Sequence, residues 1–250
     1  MQFIDTHIHL QDDKSSNATD IILRAQYCGC TQMVCVSSRP SDWKQVASLS
    51  EQFPSVIIPA FGLHPWYISE AEGCWLTDLE NLLRQYPQAL VGECGLDGFH
   101  PDMSRQKEIF AHHISLARKY SRPLIVHAVK ATQELEDFWN LLPEKFVFHG
   151  FNSKQQLLKK IIHAGGYIGL GKNILRHPKA QSLLELVPAD RILFETDAPF
   201  QAQGSWDIVQ QVNEMAFLRQ EDALLLSAQV YRNSMTFLHT AKEFFDAADA

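Results

Sequence analysis

The chain lacks the features by which membrane, secreted and disulfide-rich proteins are recognised. No apolar run in its 250 residues approaches the ~20 residues that a membrane-spanning helix needs. The first residues contain neither the basic segment nor the apolar segment of a secretory signal. The five cysteines are an odd number without a Cys-x-x-Cys spacing, which favours buried free thiols over a disulfide framework. We therefore expect a cytoplasmic protein with no membrane association.

Basic charge is also scarce, with 22 Lys and Arg residues against 29 Asp and Glu residues and a formal net charge of −7. Such a balance argues against a general polyanion-binding surface, so any contact with nucleic acid has to be local or mediated by bound cations. No Gly/Ser-rich linker, low-complexity tract or shift in composition marks a boundary. With 46% hydrophobic residues, we expect one domain over residues 1–250 with a substantial core.

Short apolar runs rich in β-branched residues alternate with amphipathic stretches, which is typical of βα units. The predicted strands are 2–4, 32–36, 56–61, 90–93, 124–127, 146–149, 167–170 and 192–195. Six stretches have the spacing of amphipathic helices. The first two begin at Ser41 and Trp75, the third covers 109–117, the fourth ends at Gly165, and the last two cover 207–218 and 221–237. Eight βα units predict an α/β fold, a TIM-like (β/α)8 barrel. An open doubly wound sheet fits less well, because no Gly-x-Gly-x-x-Gly follows the first strand.

Imidazole and carboxylate side chains end most of these apolar runs. They are Asp5, His7 and His9 after strand one, His64 after strand three, Glu93 and Asp97 at strand four, His127 and His149 at strands five and six, and Glu195 and Asp197 at strand eight. Catalytic groups of such barrels lie at the carboxyl ends of the strands. We therefore expect these side chains to converge on one rim.

Several of these positions favour a metal site over isolated polar residues. His7 and His9 are two residues apart and face the same side of an extended chain, although the same spacing also occurs in surface loops. Glu93 ends a core strand, where a carboxylate costs several kcal/mol unless it binds a cation or is paired. An ion pair with Lys or Arg is the alternative for Glu93, and the strand ends supply almost no basic residues.

The donor set is mixed nitrogen and oxygen. It consists of His7, His9, Glu93, His127, His149 and Asp197. Such a set suits zinc, manganese, iron or nickel better than calcium, and magnesium stays open as well. Six ligands are too many for one tetrahedral ion, and a carboxylate such as Glu93 can bridge two ions ~3.5 to 4 Å apart. We therefore expect two divalent metal ions per chain.

Five motifs occur in order along the chain: Asp-Thr-His-x-His, Gly-x-His-Pro, Gly-Glu-x-Gly-Leu-Asp, the histidines at strands five and six, and Glu-Thr-Asp-Ala-Pro. Together they resemble the TatD family of metal-dependent hydrolases in the amidohydrolase superfamily. The resemblance implies a TIM-like barrel with a divalent-metal centre. It also implies hydrolysis of DNA, often by a 3′ to 5′ exonuclease.

The resemblance also implies roles for the site residues. One metal would be held by His7, His9, Glu93 and Asp197, and the second by Glu93, His127 and His149. Asp197 would in addition accept a proton from, or orient, the water that attacks phosphorus. His64 either contacts a phosphate or leaving oxygen or is a hydrogen-bonded rim histidine, and both interpretations stay open. Asp5 and Asp97 would orient ligating histidine rings, with helix capping as an alternative for Asp97.

The other histidines and the cysteines receive no role. Packing positions on helices, partly exposed, are expected for His112, His113, His163 and His239, and loop positions for His100 and His177. Cys94 should point away from the barrel axis if Glu93 points toward it.

Two departures from the family pattern concern the substrate. Val129 stands where the family usually has an arginine, and the segment after Pro199 leads into a helix without the family's longer loop. The leading prediction is a phosphodiesterase acting on DNA ends or single strands, without a stable protein partner. Hydrolysis of an ester such as D-aminoacyl-tRNA, or of an amide or lactone, is the alternative. A non-catalytic metal-binding protein is the third possibility.

Overall fold

A computed structural model describes residues 1–238 of the chain, in which β-strands alternate with helices. The strands are β1 (Phe3–Ile8), β2 (Cys30–Val36), β3 (Ile57–Phe61), β4 (Leu90–Asp97), β5 (Leu124–Val129), β6 (Phe146–Phe148), β7 (Tyr167–Leu170) and β8 (Ile192–Phe194). The helices are α1 (Ala18–Tyr27), α2 (Pro40–Gln52), α3 (Trp75–Gln85), α4 (Met103–Lys119), α5 (Gln155–His163), α6 (Lys172–Leu175), α7 (Ala180–Leu186), α8 (Ile208–Arg219) and α9 (Ala223–Leu238). Short 3-10 turns join several of these elements.

The strands form one parallel sheet in which each strand pairs with the next along the chain, from β1 to β8. The sheet closes between its first and last strands through a parallel bridge of Ile8 and Ala198. The backbone N–H of His9 donates to the carbonyl of Ala198 at 2.8 Å, and that of Asp197 donates to the carbonyl of His7 at 2.9 Å. The predicted (β/α)8 barrel is therefore confirmed.

Alternation along the strands divides the buried residues into two layers. The larger layer lies between the sheet and the surrounding helices, where for example Leu79 and Leu83 of α3 are fully buried. The second is a smaller apolar cluster: Val34, Val36, Ile58, Ala60, Leu90, Ile125, Val147, Tyr167, Leu193 and Phe237. Its strand residues alternate with those of the outer layer, as expected for the barrel interior. Phe237 of α9 contacts Tyr167 at 5.3 Å between ring centroids and closes one end of this interior.

The structure corrects several local predictions. Between β5 and β6 the described chain contains a 3-10 turn over Glu134–Asp137 instead of an α-helix, so one of the eight units is irregular. The strands β1 and β4 extend to Ile8 and Asp97, so His7 and Glu93 lie inside strands. Helix α1 was not predicted.

The end of α5 agrees with the prediction, since Gly165 has φ +84° and caps the helix in the left-handed conformation.

The histidines assigned to packing differ among themselves. His112 and His163 are partly or largely exposed, as predicted, whereas His113 is fully buried. His113 Nε2 accepts a hydrogen bond from the backbone N–H of Leu63 at 3.1 Å, and Nδ1 lies 2.8 Å from the carbonyl of Ile109. The prediction of partial exposure is therefore wrong for His113, which is a hydrogen-bonded core residue. His239 lies outside the described residues. Within the described chain, no helix has the length and apolar character required to traverse a bilayer.

Candidate metal centre

The ionisable residues occupy the carboxyl end of the barrel interior, directly beyond the apolar cluster. On β5, His127 follows Ile125 by two residues, and His149 follows Val147 of β6 by two residues. Residues two apart share a face of a strand, so the inward-facing side chains of these strands are aliphatic first and imidazole at the carboxyl end. The fold therefore brings side chains that are more than 140 residues apart in sequence into one buried cluster, as His7 and His149 show by stacking at 4.0 Å between ring centroids.

Glu93 lies at the centre of this cluster and is 3% exposed. Its Oε1 atom lies 2.9 Å from Nδ1 of His127 and 2.6 Å from Nε2 of His149. Its Oε2 atom faces the other way, 3.3 Å from Nε2 of His7 and 3.7 Å from Nε2 of His9. The two oxygens of one carboxylate are thus divided between two pairs of histidines.

The local sequence around Glu93 lets β4 approach β5 closely. Gly95 has φ +145°, and a Cβ at this position would lie 2.0 Å from the carbonyl oxygen of His127. Only glycine combines this backbone conformation with so close a contact. Gly95, the second glycine of the Gly-Glu-x-Gly motif, therefore allows Glu93 and His127 to lie side by side.

Asp197 completes the side of the cluster that contains His7 and His9. Its Oδ1 atom lies 3.3 Å from Nε2 of His9 and 3.9 Å from Nε2 of His7. The backbone of Asp197 is left-handed, with φ 52°, a conformation that is uncommon outside glycine and is often found at functional sites. Its Oδ2 atom accepts a hydrogen bond from Nε2 of Gln201 at 2.5 Å. Gln201 therefore fixes the carboxylate from the solvent side.

His64 belongs to the same cluster and is 6% exposed. Its Nδ1 atom accepts a hydrogen bond from the backbone N–H of Trp66 at 3.1 Å, and burial lowers the pKa of His64 to about 4. A neutral imidazole with an accepting Nδ1 has its proton on Nε2. Nε2 lies 3.3 Å from Glu93 Oε1, so His64 presents an N–H donor to the site rather than a lone pair.

Asp97 contacts a candidate ligand as predicted. Its Oδ2 atom lies 3.1 Å from Nε2 of His127 and accepts a hydrogen bond from Nε1 of Trp66 at 2.7 Å. These hydrogen bonds lower the pKa of Asp97 although burial acts in the opposite direction. A carboxylate on Nε2 keeps the proton of His127 on that nitrogen and leaves the Nδ1 lone pair facing Glu93.

The prediction for Asp5 is wrong, because its hydrogen bonds are not made to a histidine ring. Its carboxylate accepts hydrogen bonds from the backbone N–H of Thr196 at 3.0 Å, from Oγ1 of Thr196 at 2.6 Å and from Oγ of Ser205 at 2.7 Å. Burial raises the pKa of Asp5 to about 6. Asp5 thus joins β1 to the segment that follows β8, where the barrel closes.

Glu195 was expected on this rim without a specific role, and in the structure it lies beside His149. Its Oε1 atom lies 3.8 Å from Nδ1 of His149 and accepts a short hydrogen bond from the backbone N–H of Gly150. Burial raises the pKa of Glu195 to about 8. Leu193 precedes it by two residues on the inward face of β8, so strand alternation accounts for its inward position. Gln201 and Trp66 had no comparable signal, because both lie outside the strands.

The residues fit divalent cations. Nε2 of His7 and Nε2 of His9 lie 3.1 Å apart, so two nitrogens and the carboxylates of Glu93 and Asp197 converge on the same space. Two groups of donor atoms lie close enough to share an ion, namely His7, Glu93 and His149, and His7, His9 and Asp197. His127 adds its Nδ1 atom beside Glu93. Burial alone would raise the pKa of Glu93, but the charge of His149, which also hydrogen-bonds to this carboxylate, brings the pKa well below its ordinary value. The buried carboxylates therefore require cationic partners.

Comparison with known proteins identifies the family of the chain. The family model described as TatD related DNase matches residues 4–239. A metal-dependent hydrolase of Haemophilus influenzae, described as uncharacterized, is 27% identical over 94% of this chain and 98% of its own length. The 3′-5′ ssDNA/RNA exonuclease TatD of Erwinia tasmaniensis is 30% identical over 86% of this chain and 90% of its own.

The crystal structure of YJJV, a TatD homolog from Escherichia coli, superposes with a TM-score of 0.87, at 26% identity, over 95% of this chain and 98% of that one. The match thus extends over the barrel and over every strand that contributes to the cluster. The resemblance inferred from the five motifs is confirmed. The chain belongs to the TatD-related DNase family of metal-dependent hydrolases.

Proposed function

We propose that this protein is a divalent-metal-dependent deoxyribonuclease of the 3′ to 5′ exonuclease type, which binds two metal ions per chain. The observation that supports it most directly is the division of the two Glu93 oxygens between His127 and His149 on one side and His7 and His9 on the other. A carboxylate in this arrangement can join two neighbouring ions. The name of the Erwinia relative supports a nucleic-acid substrate.

In this proposal the first ion is held by His7, His9, Glu93 and Asp197, and the second by Glu93, His127 and His149. Divalent ions in such sites supply Lewis acidity, lower the pKa of water and neutralise charge on a phosphate. The six side chains are between 0% and 12% exposed, which restricts their rotamers and limits the access of bulk water to the site.

Two residues of the chain act on protons in this proposal. Burial alone would raise the pKa of Asp197, but the neighbouring histidines lower it below its ordinary value. Its carboxylate is therefore ionised at neutral pH and can accept a proton from the attacking water. His64 presents its Nε2–H toward the centre and can donate it to an oxygen of the phosphate or of the leaving group. Glu93 would bind and position the metal ions, since it lies between both groups of histidines.

The proposal includes DNA ends or single strands as the substrate and a cytoplasmic location. The net charge of −7 leaves little attraction for long duplex DNA outside the metal centre. All five cysteines lie within the described chain and are free thiols, which is the usual state in a reducing compartment.

The test is a hydrolysis screen with defined metal content. Protein is treated with chelator, dialysed and reloaded separately with zinc, magnesium, manganese, iron or nickel, and bound metal is measured by elemental analysis. We expect two ions per chain, stepwise shortening of 5′-labelled single-stranded DNA in the presence of metal, and no hydrolysis in chelator.

The same screen contains double-stranded DNA, RNA, D-aminoacyl-tRNA and simple esters, so that it separates the alternatives. Hydrolysis of the aminoacyl or simple esters without cleavage of DNA would replace the nuclease with an esterase. Two bound ions without turnover of any substrate would favour a non-catalytic metal-binding protein. Full activity in chelator, with no bound metal, would rule out the two-metal centre altogether.

A further inference from the structure

Three large aromatic side chains are exposed next to the metal centre. Trp66 is 54% exposed, Phe99 73% and Phe200 66%. Each follows a site residue closely in sequence: Trp66 comes two residues after His64, Phe99 two after Asp97, and Phe200 three after Asp197. We refer to Trp66, Phe99 and Phe200 as the rim aromatics.

The rim aromatics are held by hydrogen bonds and ring contacts to the site itself. Trp66 Nε1 donates to Asp97 Oδ2 at 2.7 Å, and the backbone N–H of Phe99 donates to Oδ1 of the same carboxylate at 2.9 Å. The indole of Trp66 also stacks on the His100 ring, with centroids 5.0 Å apart and an angle of 24° between planes. An exposed indole fixed in this way presents a rigid apolar face to the solvent.

Phe200 is fixed on the other side of the centre. Its ring packs edge-on against His9 with centroids 5.2 Å apart, and its backbone N–H donates to the carbonyl of Asp197 at 2.9 Å. Trp66 and Phe99 adjoin Asp97, the partner of His127, whereas Phe200 adjoins His9 and Asp197. A chain that crosses the metal centre therefore meets an aromatic face on both sides of it.

A cleft of about 490 Å³ lies beside Trp66. Its walls include Pro65, Ile68 and Ala71, together with the guanidinium of Arg105, which donates to the carbonyl of Ala71 at 3.1 Å and pairs with Glu108 at 2.7 Å. Asp102 also lines the cleft, so its apolar walls adjoin both a cation and a carboxylate.

We propose that the rim aromatics form a stacking surface for the unpaired nucleobases on either side of the scissile phosphate. The inference rests on the proposed nuclease function and deepens it, because it assigns the contacts that hold a single strand. Stacking on an aromatic ring does not depend on charge and tolerates every base. It therefore provides affinity for single strands to a protein whose net charge of −7 provides none over long range.

The test compares a 5′-labelled single-stranded oligonucleotide with the same oligonucleotide that carries stable abasic sites at its last three positions. Stacking on aromatic side chains contributes about five-fold or more in affinity per base. We therefore expect KM for the abasic substrate to exceed KM for the base-bearing one by at least about five-fold in the wild-type protein. In Phe99→Ala, Phe200→Ala and Trp66→Ala this KM ratio should fall toward one.

Matched controls separate stacking from general effects of removing an exposed ring. Tyr27 is 93% and Phe217 81% exposed, and they lie near the carboxyl ends of α1 and α8. These helices run antiparallel to the strands of the barrel, so both residues are remote from the rim. Tyr27→Ala and Phe217→Ala should keep the wild-type KM ratio. Trp66→Phe, which lacks the hydrogen bond to Asp97 but retains an aromatic ring, should also keep most of the wild-type KM ratio.

The outcomes distinguish the two proposals. Cleavage of both substrates with equal KM by the wild-type protein would overturn the stacking surface and leave the nuclease intact. The same conclusion would follow if the controls at Tyr27 and Phe217 lowered the KM ratio as much as the rim variants. No cleavage of either substrate in any metal would overturn both proposals together.

Discussion

The interior of the barrel has an apolar half and an ionisable half, and the same strands build both. On β5 the inward residues are Ile125 and then His127, and on β8 Leu193 is followed by Glu195 just beyond the strand. The aliphatic and the ionisable residue of each pair are only about 7 Å apart along the strand. The aliphatic side chain needs no polar partner, whereas the ionisable one depends on its hydrogen-bond and charge partners. The apolar half adds to the stability of the barrel, and the other half holds buried charge that only neighbouring groups or bound cations can balance.

His113 shows that burial of an imidazole does not by itself indicate a metal ligand. It is as buried as His7, but both of its ring nitrogens already face backbone groups, of Leu63 and Ile109. The Nε2 atoms of His7 and His9 instead face each other and the carboxylate of Glu93. The difference lies in what surrounds the ring, not in its accessibility.

Glu93→Ala should have the largest effect, since both groups of histidines lose the carboxylate between them. We expect loss of bound metal and a fall in kcat of about 1,000-fold, the upper end of what one stabilising group contributes. Elemental analysis and single-strand hydrolysis measure the two quantities. Wild-type metal content together with near-normal kcat would contradict the central position of Glu93.

Asp197→Asn should have the next largest effect and should separate proton transfer from metal binding. Asparagine keeps the shape of the side chain but is not a base, so we expect much of the metal to be retained and kcat to fall at least about 100-fold, as for loss of a general base. His163→Ala, on the exposed surface of α5, is the matched control and should leave kcat unchanged. Equal kcat for Asp197→Asn and the control would remove Asp197 from the mechanism.

A smaller effect concerns acid stability and His113. Burial lowers the pKa of His113 from the ordinary value of 6.5 to about 4, so the unfolded chain binds the proton first. Its contribution to stability is therefore complete above pH 6.5 and is lost as the pH falls toward 4, by about 2 kcal/mol between pH 7 and pH 5.

His113→Gln should lessen this fall in the free energy of unfolding, measured by urea denaturation at both pH values. Glutamine does not titrate and can still accept the hydrogen bond from Leu63. The same loss of stability between pH 7 and pH 5 in the variant and the wild-type protein would contradict a neutral buried His113.

The smallest predicted effect belongs to the apolar half. Ile125→Val removes one buried methylene two residues before His127 and should lower the free energy of unfolding by about 1 kcal/mol. Because the change leaves the inward face of β5 intact, kcat should stay within about two-fold of the wild-type value. A large loss of kcat would show that the two halves of the interior are not independent.

Local periodicity in the sequence determined most of the fold and much of the candidate site. The strand at Tyr167–Leu170 was predicted with the bounds that the structure has, and the barrel followed from the repeat of eight such runs. The candidate ligands were found for the same reason, because a histidine or carboxylate that ends an apolar run is visible without any knowledge of tertiary structure.

Tertiary structure alone decided the remaining contacts. Asp5 and Thr196 are 191 residues apart in sequence and meet only because the sheet closes, so the hydrogen bonds of Asp5 could not be read from the residues next to it. His64 faces Glu93 because β3 pairs with β4, and the anchoring of Phe200 depends on the ring of His9. Strand pattern depends on neighbours along the chain, whereas hydrogen-bond direction and ring packing depend on groups that the fold brings together across the barrel.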